Sequence, residues 1–157
     1  MKPAIIATVV LLALTLRLDA QTRTIVFVCE HGAAKSVVAA AHFNRLATER
    51  GLPFRAVSRG TAPDPTVPGP IANGLSNEKM SVPAGFKPAA VAVNDVAGAS
   101  KVVTFDVSLP MAADASKLTR WDKMPAFSDG YGPASAAIAM QVEALVNELV
   151  AASKKKH

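Results

Sequence analysis

The sequence predicts an α/β fold in which a four-stranded parallel sheet carries helices on both faces. Two patterns lead there. Short runs rich in β-branched and aromatic residues alternate with stretches of helical periodicity. The C-terminal stretch then repeats Ile138, Val142, Leu145 and Leu149 at helical spacing. A chain of 157 residues, 50% hydrophobic, has the material for one domain with a real core.

The elements follow in order. Thr24–Val28 reads as the first strand, and it runs without a gap into Cys29-Glu30-His31-Gly32-Ala33-Ala34-Lys35-Ser36 and an alanine-rich helix. On that helix Ala39, Ala40, Phe43, Leu46 and Ala47 share one face, with His42, Asn44, Arg45, Thr48 and Glu49 off it. Gly51 and Pro53 end the helix. Phe54–Ser58 alternates as a second strand and is followed by the turn Arg59-Gly60-Thr61. Four prolines between Pro63 and Pro70 make a stiff surface loop, expected to border the mouth of the site. Ile71–Met80 forms a short helix with Pro70 in its first turn and Ile71 and Leu75 on one face. Asn94 caps another short helix through Ala99, Lys101–Phe105 is the third strand, Lys117–Trp121 the fourth, and the long terminal helix begins near Pro133. Strands separated by helices imply parallel pairing with both sheet faces covered.

Residues 1–20 read as an export signal. Lys2 supplies a short basic start, Ala4 to Leu16 an apolar stretch, and Ala20 a small residue before the cut. The apolar stretch is shorter than the ~20 residues a membrane span requires, so no stable span is expected. The mature part is then a single domain, 21–157, ending in the basic tail Lys154-Lys155-Lys156-His157, in a periplasmic or secreted location. Loss of Lys2, Arg17 and Asp19 lowers the formal charge by one from +5, leaving a mildly basic protein suited to anionic ligands. No aromatic residues interleave with a basic groove, which argues against nucleic acid as a partner. With His31, His42 and His157 and a single cysteine, the sequence offers no structural metal site, and no cofactor is expected.

The chemistry lies in the segment between the first strand and the first helix. In a strand–loop–helix turn, successive backbone N–H groups and the positive end of the helix dipole converge on one point, where a tetrahedral oxyanion binds. The same field favours a thiolate at Cys29, the one cysteine of the chain. A lone cysteine in an exported protein cannot form an internal disulfide, which fits a reactive thiol.

The spacing Cys29-x5-Lys35-Ser36 resembles the Cys-x5-Arg-Ser loop of the low-molecular-weight protein tyrosine phosphatase and arsenate reductase superfamily, and the resemblance covers essentially residues 23–152. It implies that family's four-stranded parallel fold. It also implies that Cys29 attacks phosphorus, Lys35 holds the phosphate oxygens and Ser36 helps the thiolate leave. The loop residues Glu30, His31, Gly32, Ala33, Ala34 and Lys35 would surround the anion. Ser58, in a Ser-Arg-Gly-Thr stretch similar to the family's Ser-Ala-Gly-Thr, would hydrogen-bond the loop. Lys35 departs from the family's arginine: an ammonium is a point charge where a guanidinium grips two oxygens, so turnover should be slow. Glu30 repels a dianion unless its side chain turns away. His31 replaces a loop glycine and is expected to face outward, with a role as base or ion-pair partner as the alternative. The family's proton donor sits in an Asp-Pro loop before the last helix, and no such dipeptide occurs there; Asp122 and Asp129 are the two candidates.

Three functions follow from the resemblance. One is an exported phosphomonoesterase working through a cysteinyl-phosphate intermediate. The second is an oxyanion-binding protein without turnover, taking phosphate, arsenate or a phosphorylated ligand. The third is an arsenate-reductase-like protein using an external thiol, since the thioredoxin-coupled reductases need further cysteines that this chain lacks.

Overall fold

The computed structural model describes residues 21–155, so residues 1–20, expected to be an export signal, and the last two residues of the basic tail lie outside the described residues. Four strands form one all-parallel sheet in the order β2-β1-β3-β4: β1 (Arg23–Cys29), β2 (Phe54–Gly60), β3 (Lys101–Thr104) and β4 (Leu118–Arg120). The helices are α1 (Lys35–Glu49), α2 (Gly69–Asn77), α3 (Val93–Gly98) and α4 (Tyr131–Lys154), with a short 3-10 turn at Phe127–Asp129. Strand β1 is central, and its last five residues are buried without alternation, as expected of a strand covered on both faces.

The two faces divide the core. Ile25 and Phe27 of β1 point to the side of α1 and α4, where Phe43, Ile138 and Val142 are fully buried, and Phe27 lies among the rings of Phe43, Phe105 and Trp121. Val26 and Val28 point to the other side, against Val96 of α3 and Val102. Of the stripe Ile138, Val142, Leu145 and Leu149, the first three are buried and Leu149 is half-buried against the core. Among the described residues α4 is the one helix long and apolar enough to cross a membrane by length and composition; here that stripe packs in the core it shares with α1.

Two local expectations are corrected. Helix α3 starts two residues earlier than a cap at Asn94 implies, with Ala92 at the N-cap position: Asp95 reaches back to accept the backbone N–H of Ala92 at 2.9 Å, and its carboxylate also holds Arg59. His42, placed off the apolar face by periodicity, is 4% exposed. It is buried because polar partners meet it there, Ser135 of α4 at 3.0 Å and Glu78 after α2 at 3.4 Å.

Candidate active site

In an open parallel sheet, ligands bind beyond the carboxyl ends of the strands where the strand order reverses. Here the chain runs from β1 outward to β2 on one side and returns to β3 on the other, so the reversal lies between β1 and β3. A pocket of about 220 Å³ opens there. Cys29 at the end of β1 and Phe105 and Asp106 just past β3 line it, with Lys35, Ala126 and Phe127.

The loop from Glu30 to Ala34 is held from behind by its carbonyls. Thr61 N–H donates to the Cys29 carbonyl at 3.1 Å, Ala62 to Glu30 at 2.8 Å and Asp64 to His31 at 2.9 Å. With those carbonyls turned outward, the backbone N–H groups of Glu30 through Ala34 have no protein acceptor among the described residues. Helix α1 continues the pattern: its N-cap, Ala34, supplies no side-chain acceptor and its first turn has no acidic residue. Orphan N–H groups of this kind, at the positive end of a 15-residue helix, make a place for an anion.

Two glycines set the loop's position. Gly32 has φ +61°, and a Cβ there would lie 2.8 Å from Gly60 N; a Cβ on Gly60 would lie 2.8 Å from Gly32 N and 2.9 Å from the Glu30 carbonyl. Backbone packs on backbone, and Gly60 is also the register partner of Cys29 across β1 and β2. Ser58, two residues before Gly60, is buried and donates its hydroxyl to the Gly32 carbonyl at 3.4 Å.

The predicted nucleophile and hydroxyl meet. Cys29 Sγ and the fully buried Ser36 Oγ are 3.1 Å apart, with Cys29 6% exposed at the pocket floor. Glu30 and His31 also border the pocket, with largely exposed side chains, and His31 Nδ1 lies 3.1 Å from Asp64. Lys35 Nζ reaches the pocket wall, where it donates to Asp106 Oδ2 at 2.8 Å and to the Met124 carbonyl at 3.3 Å. Asp106, in turn, accepts the Lys123 N–H on its other oxygen at 2.6 Å. The Lys35 hydrogen bond, aided by that N–H against a smaller effect of burial, holds the Asp106 carboxyl below its ordinary value.

The structure does not bring the two expected aspartates to Cys29. Asp122 is exposed and takes Arg120 as its partner at 3.2 Å, and Asp129 is exposed with Ser128 beside it; neither lines the pocket. Asp106, which lines the pocket as Glu30 does, was missed by reading the sequence. Its signal is its place: it follows the third strand directly, at the end of the sheet where ligands bind.

No protein-family model matches the chain, and no curated protein sequence does. Solved structures do match. The low-molecular-weight protein tyrosine phosphatase of T. tengcongensis is 19% identical, with a TM-score of 0.62 over 82% of this chain and 97% of that one. An arsenate reductase of Archaeoglobus fulgidus is 26% identical, with a TM-score of 0.57 over 81% and 98%. The thioredoxin-dependent arsenate reductase of Corynebacterium glutamicum is 16% identical, with a TM-score of 0.65; the match covers 89% of this chain but 66% of that one. The chain therefore has the fold of the low-molecular-weight phosphatase and arsenate reductase superfamily, a four-stranded parallel sheet between helices.

Proposed function

We propose that this protein is a thiol-based phosphomonoesterase. Cys29 attacks the phosphorus of a bound monoester; the Sγ–P bond forms as the ester P–O bond breaks, and water then cleaves the Sγ–P bond to release phosphate and the thiol. The observation that carries this reading is the 3.1 Å contact of Cys29 Sγ with Ser36 Oγ, beneath a loop whose N–H groups have no protein acceptor among the described residues. Those N–H groups take the phosphoryl oxygens, and the Ser36 hydroxyl stabilises the sulfur as it departs in the second step. The fold shared with phosphatases and arsenate reductases supports the choice of ligand.

The leaving oxygen needs a proton, and here the site is sparing. Asp106 is held ionised by Lys35 and donates none at neutral pH. Asp122 and Asp129 stand outside the pocket. Activated aryl phosphates, whose leaving groups depart without a proton, are therefore the favoured substrates, and alkyl esters are slow. If either loop aspartate swings in as the acid, its change to asparagine slows the alkyl esters far more than the activated ones.

Phosphate release from an activated aryl phosphate tests the reading, compared with Cys29→Ser, which should abolish it. The Lys35–Asp106 pair favours a second reading, in which the ammonium is already neutralised and the pocket binds an oxyanion without turnover. Phosphate binding with no release selects that reading. Arsenite formed from arsenate with an added external thiol selects the arsenate-reductase-like one. The basic start, apolar stretch and Ala20 of residues 1–20, read as an export signal, support an exported site of action, periplasmic or secreted. Intact mass of the protein from its native host tests this, and a cytosolic species retaining Met1–Ala20 contradicts it.

A further inference from the structure

A second cavity lies away from Cys29. A groove of about 710 Å³ runs between α1, strand β2 and the irregular stretch from Lys79 to Lys87, in the size range of small-molecule sites. Its apolar lining comes from Val37, Ala40 and Ala41 of α1 on one side and Met80, Val82 and Phe86 on the other. Around it stand five cations and one anion. Arg45 is paired with Glu49 at 3.9 Å and Arg59 with Asp95 at 2.9 Å. Arg55, Lys79 and Lys87 are left, all exposed and without an ion-pair partner among the described residues.

Strand β2 is the edge of the sheet, but the groove does not offer that edge to a peptide strand. The Asn44 side chain already occupies both main-chain groups of Ala56, donating to its carbonyl at 3.0 Å and accepting its N–H at 2.7 Å. Farther along, Gly60 N–H donates to the Ala89 carbonyl and the Gly60 carbonyl accepts from Val91. An occupant thus gains little from main-chain hydrogen bonds. It gains from apolar contact and from three uncompensated positive charges.

We propose that this groove binds a small amphipathic anion, an alkyl-chain carboxylate, with its chain on the Val37, Val82 and Phe86 surfaces and its carboxylate among Arg55, Lys79 and Lys87. The proposal is independent of any chemistry at Cys29. Titration calorimetry with decanoate, below its micelle concentration, should show saturable binding at one site. Decanol, with the same chain and no charge, should bind at least tenfold more weakly. The methyl resonances of Val37, Met80 and Val82 should shift on titration. Reversing the rim in Arg55→Glu/Lys79→Glu/Lys87→Glu should weaken decanoate at least tenfold with the melting temperature unchanged. Should the triple variant fail to fold, Lys87→Glu alone should still weaken it measurably. Unsaturable binding, equal binding of decanol, indifference to charge reversal, or shifts confined to other methyls would each overturn the proposal. An acidic peptide that binds more tightly than decanoate would overturn it too, and would assign the groove to a protein partner.

Discussion

Helix α1 carries two polar clusters, and they are finished to different degrees. At its N-terminus the loop N–H groups have no protein acceptor among the described residues, and Cys29, backed by Ser36, lines the pocket beside them. About two turns farther on, His42 sits in a closed network. Arg45 faces His42 Nδ1 at 3.5 Å, Ser135 Oγ lies 3.0 Å from His42 Nε2 and donates to Glu78, and Tyr131 donates its hydroxyl to Glu78 at 3.1 Å. This network joins α1, α4 and the residue after α2, and a single neutral tautomer of His42 satisfies it from end to end. Although Ser135, His42 and Glu78 are the residue types of a hydrolytic triad, Ser135 is fully buried and the carboxylate faces the wrong ring nitrogen. The difference teaches how to tell a site from a brace: the brace has used its donors, and the site has kept them for a ligand.

The sharpest way to break the contrast is to disturb the loop without touching its chemistry. Gly60→Ala places a Cβ against the Gly32 N–H and the Glu30 carbonyl, neither of which yields cheaply. It should cost on the order of 10²-fold in turnover, by misplacing the donors. Steady-state kinetics on an aryl phosphate reads this, and unchanged turnover would mean that the glycine contact does not position the loop. Next in size is Lys35. An arginine there keeps Asp106 while directing further N–H groups at the anion, so Lys35→Arg should raise turnover roughly tenfold. Asp106→Asn retains an acceptor for Lys123 but frees the ammonium, and phosphate should then bind several-fold more tightly. Equal affinity in the two proteins would show that the ion pair does not compete with the ligand.

These residues also show what the sequence could and could not reveal. The β-branched strands, the loop spacing and the α4 stripe are local patterns, and each was legible. Ser58 was legible through its neighbours, Arg59, Gly60 and Thr61. Asp106 was not, because its partner Lys35 is 71 positions away and an aspartate after a strand looks like any loop residue. His42 was misplaced for the same reason: helical periodicity counts apolar neighbours, and its partners stand at 78 and 135. Pairings made by the fold, rather than by spacing, are what one-dimensional reading loses.

The closed network should respond in stability alone. Ser135→Ala removes the link between His42 and Glu78 and should cost about 1–3 kcal/mol, with phosphate binding at the loop unchanged. Chemical denaturation checks the first part, and a large loss of phosphate binding would join the two clusters. The smallest effect is one of pH. Burial holds the His42 imidazole below its ordinary value of 6.5, against the pull of Glu78 and with some help from Arg45. The unfolded chain therefore takes up the proton first as pH falls. Stability should decline as pH drops below about 6.5, until the folded imidazole also protonates. His42→Gln should flatten that slope; an unchanged slope would assign it to other groups.

The most direct test of the central claim is protection of Cys29 from alkylation. Inorganic phosphate should slow its reaction with iodoacetamide in a saturable way, because anion and reagent compete for the space between the loop N–H groups and Sγ. Chloride at matched ionic strength should not. Alkylation at the same rate with and without phosphate would mean that the loop does not hold an anion over Cys29, and would contradict the account at its base.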